Sequence, residues 1–258
     1  MQHLVGLFGF LGLMITAQAS TLADCDLLYS HRGSDALKSA DCYQELVTGS
    51  EAGSEDQKKI FVRSFVALSA VVNDYPKTKI EREAIDKGLA LVKELSKNFP
   101  DSADLPYWRA CMVSFDVFQK DRGSAIPTHT FRAIGAIQSD LRLAIQKDSS
   151  IHFFGPPRVL GIMHTQMPAI AGGDKTLAEK LLKEAYTKAP GFSMNHLSYA
   201  RILDVNGKND EAIKVLQKMI ETPDNFFNPY LNEPLLSLQL EITKDKKAAA
   251  ELLKDISE

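Results

Sequence analysis

The sequence has no run of basic residues, and its formal net charge is −3 over 258 residues. Proteins that bind nucleic acids or anionic membranes usually present a basic face, so the charge disfavours both kinds of partner. The sequence also lacks the C-x2-C and H-x3-H spacings of metal sites, the G-x-S-x-G turn of hydrolases and the Gly-Lys-Ser/Thr of phosphate-binding loops. We therefore predict a protein that binds no nucleic acid, metal or cofactor and is not an enzyme.

Patterns typical of β-strands are also scarce. Few runs of alternating apolar and polar residues are bounded by Asn-Gly or Asp-Gly turns. Apolar residues recur instead every three or four positions, as in 58–73 and 131–146. In the tail, 230–256, we expect two helices separated near 243–245. No linker is rich in proline, glycine or serine, so we predict one all-helical domain over residues 20–258.

The first nineteen residues have the form of a secretory signal peptide. Residues 4–15 are almost wholly apolar, and Ala17-Gln18-Ala19 has the small-x-small pattern that signal peptidase accepts. The apolar run is shorter than the ~20 residues that span a bilayer, which favours cleavage near Ala19 over an uncleaved membrane anchor. Lipid attachment at Cys25 is a less favoured alternative, because Asp24 stands where lipoprotein signals carry a small residue.

Export would place the three cysteines in an oxidising compartment. Cys25 and Cys42 lie on either side of a predicted turn at 31–34. If the flanking segments form an antiparallel helical hairpin, the heights of the two residues differ by only about 3 Å at a rise of ~1.5 Å per residue. This proximity favours a disulfide over two free buried thiols. Cys111 lies in an apolar segment and is expected to be buried as a small apolar side chain.

A pattern that occurs twice indicates a repeat architecture. A helical stretch runs into Pro100 or Pro190, and ten positions later Ala110 or Ala200 stands among large residues. Small residues at fixed positions let two helices approach closely, and a proline ends the second helix. The sequence therefore predicts an all-α fold in which antiparallel helical hairpins stack as a superhelix.

These repeats resemble tetratricopeptide repeats. Residues 157–164 are similar to the first helix of such a repeat, and residues 178–190 are similar to the second. The clearest repeats cover 80–115 and 154–223. The resemblance implies a tetratricopeptide-like superhelix with a concave groove.

A narrower resemblance rests on Gly161, the pair Met167-Pro168, the turn 172–175 and the pair Ala189-Pro190. These residues are similar to those of a family of exported bacterial repeat proteins that includes the T component of tripartite (TRAP) transporters. The resemblance implies a periplasmic accessory subunit that pairs with the solute-binding protein of a transporter. It also implies that a small ligand can be held in a pore.

In tetratricopeptide arrays the inner face of each first helix binds the partner. That register places five candidate side chains toward the groove: Tyr107, Arg158, Gln166, Arg201 and Asp204. The two arginines are expected to contact an acidic group of a protein partner, such as a periplasmic solute-binding protein. The alternatives are a small-ligand carrier with an apolar tunnel and a general envelope scaffold, and each is compatible with oligomerisation.

Gly172, Gly173 and Asp174 precede a predicted helix over 177–189. We favour a tight structural turn in which Asp174 or Thr176 accepts hydrogen bonds from the first backbone amides of the helix. Thr176 also begins a sequence with the spacing of a capping box. An anion bound at the helix N-terminus is the alternative.

Overall fold

A computed structural model describes residues 20–31, 36–227 and 238–258 of the protein. Within these ranges the chain is all-helical and has no strand, which confirms the predicted fold class. The predicted signal peptide lies outside the described residues, and so does most of the turn predicted at 31–34. None of the helices in these three ranges combines the length and apolar character needed to cross a bilayer.

Eleven α-helices account for most of the described residues: α1 (Leu22–Ser30), α2 (Ala36–Gly49), α3 (Glu55–Asp74), α4 (Lys79–Asn98), α5 (Asp104–Asp121), α6 (Thr128–Asp148), α7 (Ile151–Gln166), α8 (Lys175–Lys188), α9 (Ser193–Val205), α10 (Asn209–Glu221) and α11 (Gln239–Ser257). Every helix packs against the next one along the chain. The helices α3, α5, α7, α9 and α11 also contact one another in that order and form an inner layer. This packing is compatible with a helical repeat superhelix.

Small residues allow the helices to approach, as the repeat pattern predicts. A Cβ atom on Gly88 of α4 would lie 2.3 Å from Sδ of Met112 in α5. On Gly161 of α7 it would lie 2.7 Å from Cγ of Leu182 in α8. Glycine at these positions therefore sets the separation of two helix pairs.

Side-chain caps and glycine-containing turns set the helix ends. Ser54 caps α3 by accepting a hydrogen bond from the amide of Gln57 at 3.1 Å. At the start of α8 the cap is Asp174, which accepts from the amide of Leu177 at 2.9 Å. The capping box predicted at Thr176 is wrong, because α8 already begins at Lys175.

The turn before α8 depends on both of its glycines. Gly172 has a φ of +88°, which favours a residue without a Cβ atom. At Gly173 a Cβ atom would lie 2.0 Å from the carbonyl oxygen of Met167. In the structure, Gly172, Gly173 and Asp174 form a tight turn that ends in a helix cap.

The N-terminal hairpin is cross-linked and anchored to α3. A disulfide joins Cys25 of α1 to Cys42 of α2, whose Cα atoms are 5.5 Å apart. Next to it the buried carboxylate of Asp26 accepts hydrogen bonds from Tyr43 and from Nε of Arg63, the latter at 3.0 Å. The side chains of Asp26 and Arg63 are only 2% and 4% exposed, so this ion pair and the Tyr43 hydrogen bond together tie three helices within the core.

The C-terminal tail differs from the prediction. The expected break near 243–245 is wrong, because α11 runs without interruption from Gln239 to Ser257. No proline or glycine lies in this segment, and the hydroxyl of Thr243 donates to the carbonyl of Gln239 at 2.8 Å within the helix. The first part of the predicted tail, 230–237, lies outside the described residues.

Candidate functional site

A cavity of about 500 Å³ lies against the inner layer of helices. Its walls come from α3, α5, α7 and α9, and α11 closes one side. Most of the lining is apolar or aromatic and includes Val66, Ala70, Trp108, Phe115, Phe192 and Leu197. Concave, mainly apolar cavities with a few polar groups are typical of small-molecule binding sites.

Helix α11 is held over the cavity by polar contacts to three other helices. Tyr29 of α1 donates its hydroxyl to Oε1 of Glu241 at 3.0 Å. Lys244 forms an ion pair with Asp74 of α3. Ser193 of α9 donates to Oδ2 of Asp245 at 2.6 Å. These contacts hold α11 against α1, α3 and α9, so that it closes one side of the cavity.

Asp245 is the buried carboxyl group on this helix. Burial raises its pKa to about 6, although the hydrogen bond from Ser193 and the charges of Arg158 and Arg201 act in the opposite direction. Glu241, one turn earlier, adds to the increase. An acid whose pKa is raised by burial is costly to the fold when ionised.

The start of α7 has an unusual backbone that shapes one wall of the cavity. His152, Phe153 and Phe154 have φ angles of 51°, 57° and 59°, all in the left-handed region. For residues other than glycine this conformation costs about 1–2 kcal/mol each. The right-handed helix that follows begins with Gly155-Pro156-Pro157, and prolines are tolerated there because first-turn amides need no intrahelical acceptor.

This left-handed segment directs His152 toward α5. The Nε2 atom of His152 lies 2.8 Å from Oδ1 of Asp104. The imidazole also stacks on Tyr107, with ring centroids 5.0 Å apart, and meets the edge of Trp108 at 4.8 Å. A Cβ atom on Gly155 would lie 2.7 Å from the Tyr107 hydroxyl, so glycine is required where α7 approaches this aromatic cluster.

Arg158 is the buried cation of the cavity and is 7% exposed. Its Nη1 atom donates to Oδ1 of Asn195 at 2.9 Å and to the carbonyl of Phe153 at 3.0 Å. Its guanidinium lies 4.5 Å from the ring centroid of Phe192. Asn195 is fixed in turn by donating to the carbonyl of Phe153 at 3.1 Å. The left-handed carbonyls therefore hold both Arg158 and its amide partner.

The structure brings three of the five predicted groove residues to this cavity. Tyr107, Arg158 and Arg201 line it, although Arg158 is buried rather than presented on an open surface. Gln166 and Asp204 lie outside the lining, beyond Val159 and Arg201, which are the last cavity residues of their helices.

Sequence reasoning missed several cavity residues. His152 and Phe153 precede the Gly-Pro-Pro sequence, which signals a change of backbone direction, but the predicted helix began only at Pro157, the last residue of that sequence. Leu238, Glu241 and Asp245 were missed because the tail was divided into two helices. Their spacing of three or four residues is the pattern of one helix face.

A scan against protein-family models finds no match for this chain, and a search of curated proteins finds none either. The two family resemblances inferred from the sequence therefore stay predictions. In the described ranges, no group of three or more His, Cys, Asp or Glu side chains is arranged to hold a metal ion.

Proposed function

We propose that this protein is an all-helical binding protein that holds a small, largely apolar molecule in the cavity beneath α11. The supporting observation is the cavity itself. Its volume of about 500 Å³ falls within the ~300–1,000 Å³ typical of small-molecule sites, and its walls are mainly aromatic and aliphatic. The small-ligand carrier inferred as an alternative from the sequence thus becomes the favoured function.

The position of α11 supports this choice over peptide binding in the groove. Glu241 and Asp245 of α11 contact Tyr29 and Ser193 on the inner face of the stack. That face is where a tetratricopeptide-like array would receive a peptide. A peptide would have to displace α11, whereas a small molecule fits beside it.

We propose a non-catalytic role. Cys111 is the cavity residue with the most nucleophilic side chain, but burial raises its pKa to about 12. A thiol with such a pKa stays protonated at neutral pH, and the thiolate is the reactive form. The pairing of His152 with Asp104 is accounted for by packing at the start of α7.

We also propose that the protein acts outside the cytosol, as the predicted signal peptide suggests. The disulfide between Cys25 and Cys42 supports this location, because disulfides persist mainly in oxidising compartments. The tetratricopeptide and TRAP T-component resemblances point the same way. They suggest an accessory protein of periplasmic solute uptake.

Native mass spectrometry after gentle extraction tests the carrier function. We expect a retained small molecule that solvent extraction releases. Ala248→Phe would fill the cavity from α11 and should abolish retention, because Ala248 is one of its lining residues. Ala250→Phe is the matched control, since Ala250 is exposed on the same helix. A purely apo mass in preparations from several hosts, or equal retention by both variants, would contradict the proposal.

A protein partner is a second candidate function, supported by exposed apolar side chains at one end of the α5–α6 hairpin. Phe118, Ile126 and Phe131 are 49%, 67% and 51% exposed. Grouped exposed apolar residues often mark interaction surfaces. If a periplasmic solute-binding protein docks there, Phe131→Ser should weaken its capture in a pull-down. Undiminished capture by this variant would argue against that surface.

A further inference from the structure

We propose that the cavity contains a subsite for one anionic group, and that the molecule held there is an amphiphile with an apolar body and a carboxylate bound at Arg158 and Arg201. This inference rests on the proposed binding function and adds the chemical class of the ligand. The ligand class follows from how the charges around the cavity are partnered.

Arg158 is a buried cation whose bonds are all to neutral groups. Its acceptors are the carbonyls of His152 and Phe153 and the amide oxygen of Asn195. Among the described residues, no carboxylate lies within ion-pairing distance of its guanidinium. A buried charge is costly unless an opposite charge accompanies it, so the site favours an incoming anion.

The geometry of the guanidinium leaves one edge for that anion. The Nη1 atom has most of the hydrogen bonds, and Phe192 lies over one face of the group. Within the described chain, the edge formed by Nε and Nη2 makes a single contact, from Nη2 to the carbonyl of His152 at 3.4 Å. A carboxylate can bind a guanidinium through two parallel hydrogen bonds, and this edge offers two such donors.

Arg201 supplies a second positive charge to the same cavity from the neighbouring helix α9. Its side chain is exposed, and it forms no ion pair with any residue that the structure describes. The two arginines thus come from adjacent helices of the inner layer and line the same cavity, and the proposal assigns both to one anionic group.

The other charged groups of the cavity already have partners. Lys244 pairs with Asp74, Glu241 accepts a hydrogen bond from Tyr29, and Asp245 accepts one from Ser193. Both α11 carboxyls accept hydrogen bonds from hydroxyl groups. Burial raises the pKa of Asp245 on balance, although the residue lies near enough to Arg158 and Arg201 for their charges to lower that pKa. Neither arginine forms an ion pair with Asp245 among the described residues. Beyond the arginines the lining is mainly apolar, which suits a hydrocarbon or aromatic body.

The fluorescence of the single tryptophan, Trp108, provides a direct readout because this side chain lines the cavity. Purified full-length mature protein would be stripped of bound molecules and titrated with decanoate, decanol and decylamine. We expect decanoate to bind roughly tenfold to a hundredfold more tightly than decanol, which is the range for hydrogen bonds to a charged group. Decylamine should bind more weakly than either.

Variants of Arg158 and Arg201 test whether the preference for decanoate depends on the two arginines. Arg201→Gln and Arg158→Gln should each reduce the preference for decanoate over decanol. Arg201 is exposed, so Arg201→Gln remains informative if Arg158→Gln fails to fold. Arg142→Gln is the matched control, since Arg142 is exposed on α6 and outside the cavity.

The possible outcomes separate this inference from the carrier function. Three results would overturn the anionic subsite and leave the carrier function in place. The first is equal binding of decanoate and decanol, and the second is tighter binding of decylamine. The third is an undiminished decanoate preference in Arg201→Gln and in a folded Arg158→Gln. Failure of all three probes to bind would overturn both. A decanoate preference that the arginine variants lose would support both.

Discussion

The imidazole of His152 and the carboxylate of Asp104 are joined by a contact of 2.8 Å between Nε2 and Oδ1, although the two residues belong to different hairpins. The contact exists because three left-handed residues turn the start of α7 toward α5. It fixes the wall of the cavity that contains Tyr107 and the carbonyls bound by Arg158.

Asp104 should make stability depend on pH. Burial opposes its ionisation, but the hydrogen bond and charge of His152, with Ser102 and Lys58, lower its pKa to about 2 from 3.8. Because the folded-state pKa is below the unfolded one, the stabilisation is complete above pH ~4 and is lost as the pH falls toward ~2. We expect Asp104→Asn to lower the free energy of unfolding by about 2 kcal/mol at neutral pH and by progressively less in acid.

Urea denaturation between pH 3 and pH 7 measures this difference. Asp255→Asn, at an exposed position of α11, is the control and should change stability little at any pH. A destabilisation by Asp104→Asn that stays constant down to pH 3 would show that the charge of Asp104 is not its source.

The left-handed backbone at Phe154 predicts an inverted preference between glycine and alanine. In an ordinary helix, alanine is more stable than glycine by about 1 kcal/mol. At Phe154, where φ is 59°, glycine should be the more stable replacement by about 1 kcal/mol, because only residues with a Cβ atom resist this conformation. Both Phe154→Gly and Phe154→Ala remove the phenyl ring. The difference in stability between the two variants therefore reports the backbone preference at this position.

Arg132, exposed in α6, provides the matched pair of variants for an ordinary helical site. There the alanine variant should be more stable than the glycine variant in chemical denaturation. The same order at both positions would mean that residue 154 is right-handed in solution.

The disulfide of the N-terminal hairpin should contribute strongly to the free energy of unfolding. Cys25 and Cys42 are 17 residues apart in sequence, and closing a loop of this size stabilises a protein by about 3 kcal/mol in the chain-entropy description. We expect Cys25→Ser with Cys42→Ser, or reduction of the natural protein, to lower the unfolding free energy by a comparable amount.

Thiol titration in denaturant checks the pairing independently. One reactive thiol per chain, from Cys111, is expected before reduction and three after it. Three thiols in protein purified without reductant from an oxidising compartment would contradict the pairing.

Gly161 should not tolerate even one added methyl group. Its Cβ atom would lie 2.7 Å from Cγ of Leu182 and 3.3 Å from the carbonyl oxygen of Ala178. We expect Gly161→Ala to destabilise the protein by about 1–3 kcal/mol through overpacking between α7 and α8. Gly135→Ala is the control, because a Cβ atom there meets nothing within 4 Å and alanine is the better helix former. In thermal denaturation, the midpoint temperature should therefore fall for Gly161→Ala and rise for Gly135→Ala.

The helices could be predicted because their signals are local. Apolar residues at helical spacing, and the prolines at 100 and 190, act within a few residues of where they stand, and α4 and α8 end at Asn98 and Lys188. The glycine at 161 likewise indicated a close helix pair, since a missing side chain has one simple consequence for packing.

The cavity could not be predicted in the same way, because its parts meet only in three dimensions. Nothing near Asp245 in sequence indicates that Ser193 will donate a hydrogen bond to its carboxylate. The left-handed run at 152–154 contains no glycine, so the usual sequence signal for such a backbone is missing. Arg158 was predicted to face the groove and lines the cavity, but its burial depends on α7, α9 and Phe192 together.

Solenoids usually have two free ends, and their repeats can unfold one after another from either end. Here α11 touches α1, through Glu241 and Tyr29, and α3, through Lys244 and Asp74. Removal of α11 would take away Glu241, Asp245 and Ala248 from the cavity lining, so truncation before Gln239 should abolish retention of the proposed ligand while sparing most of the helical content.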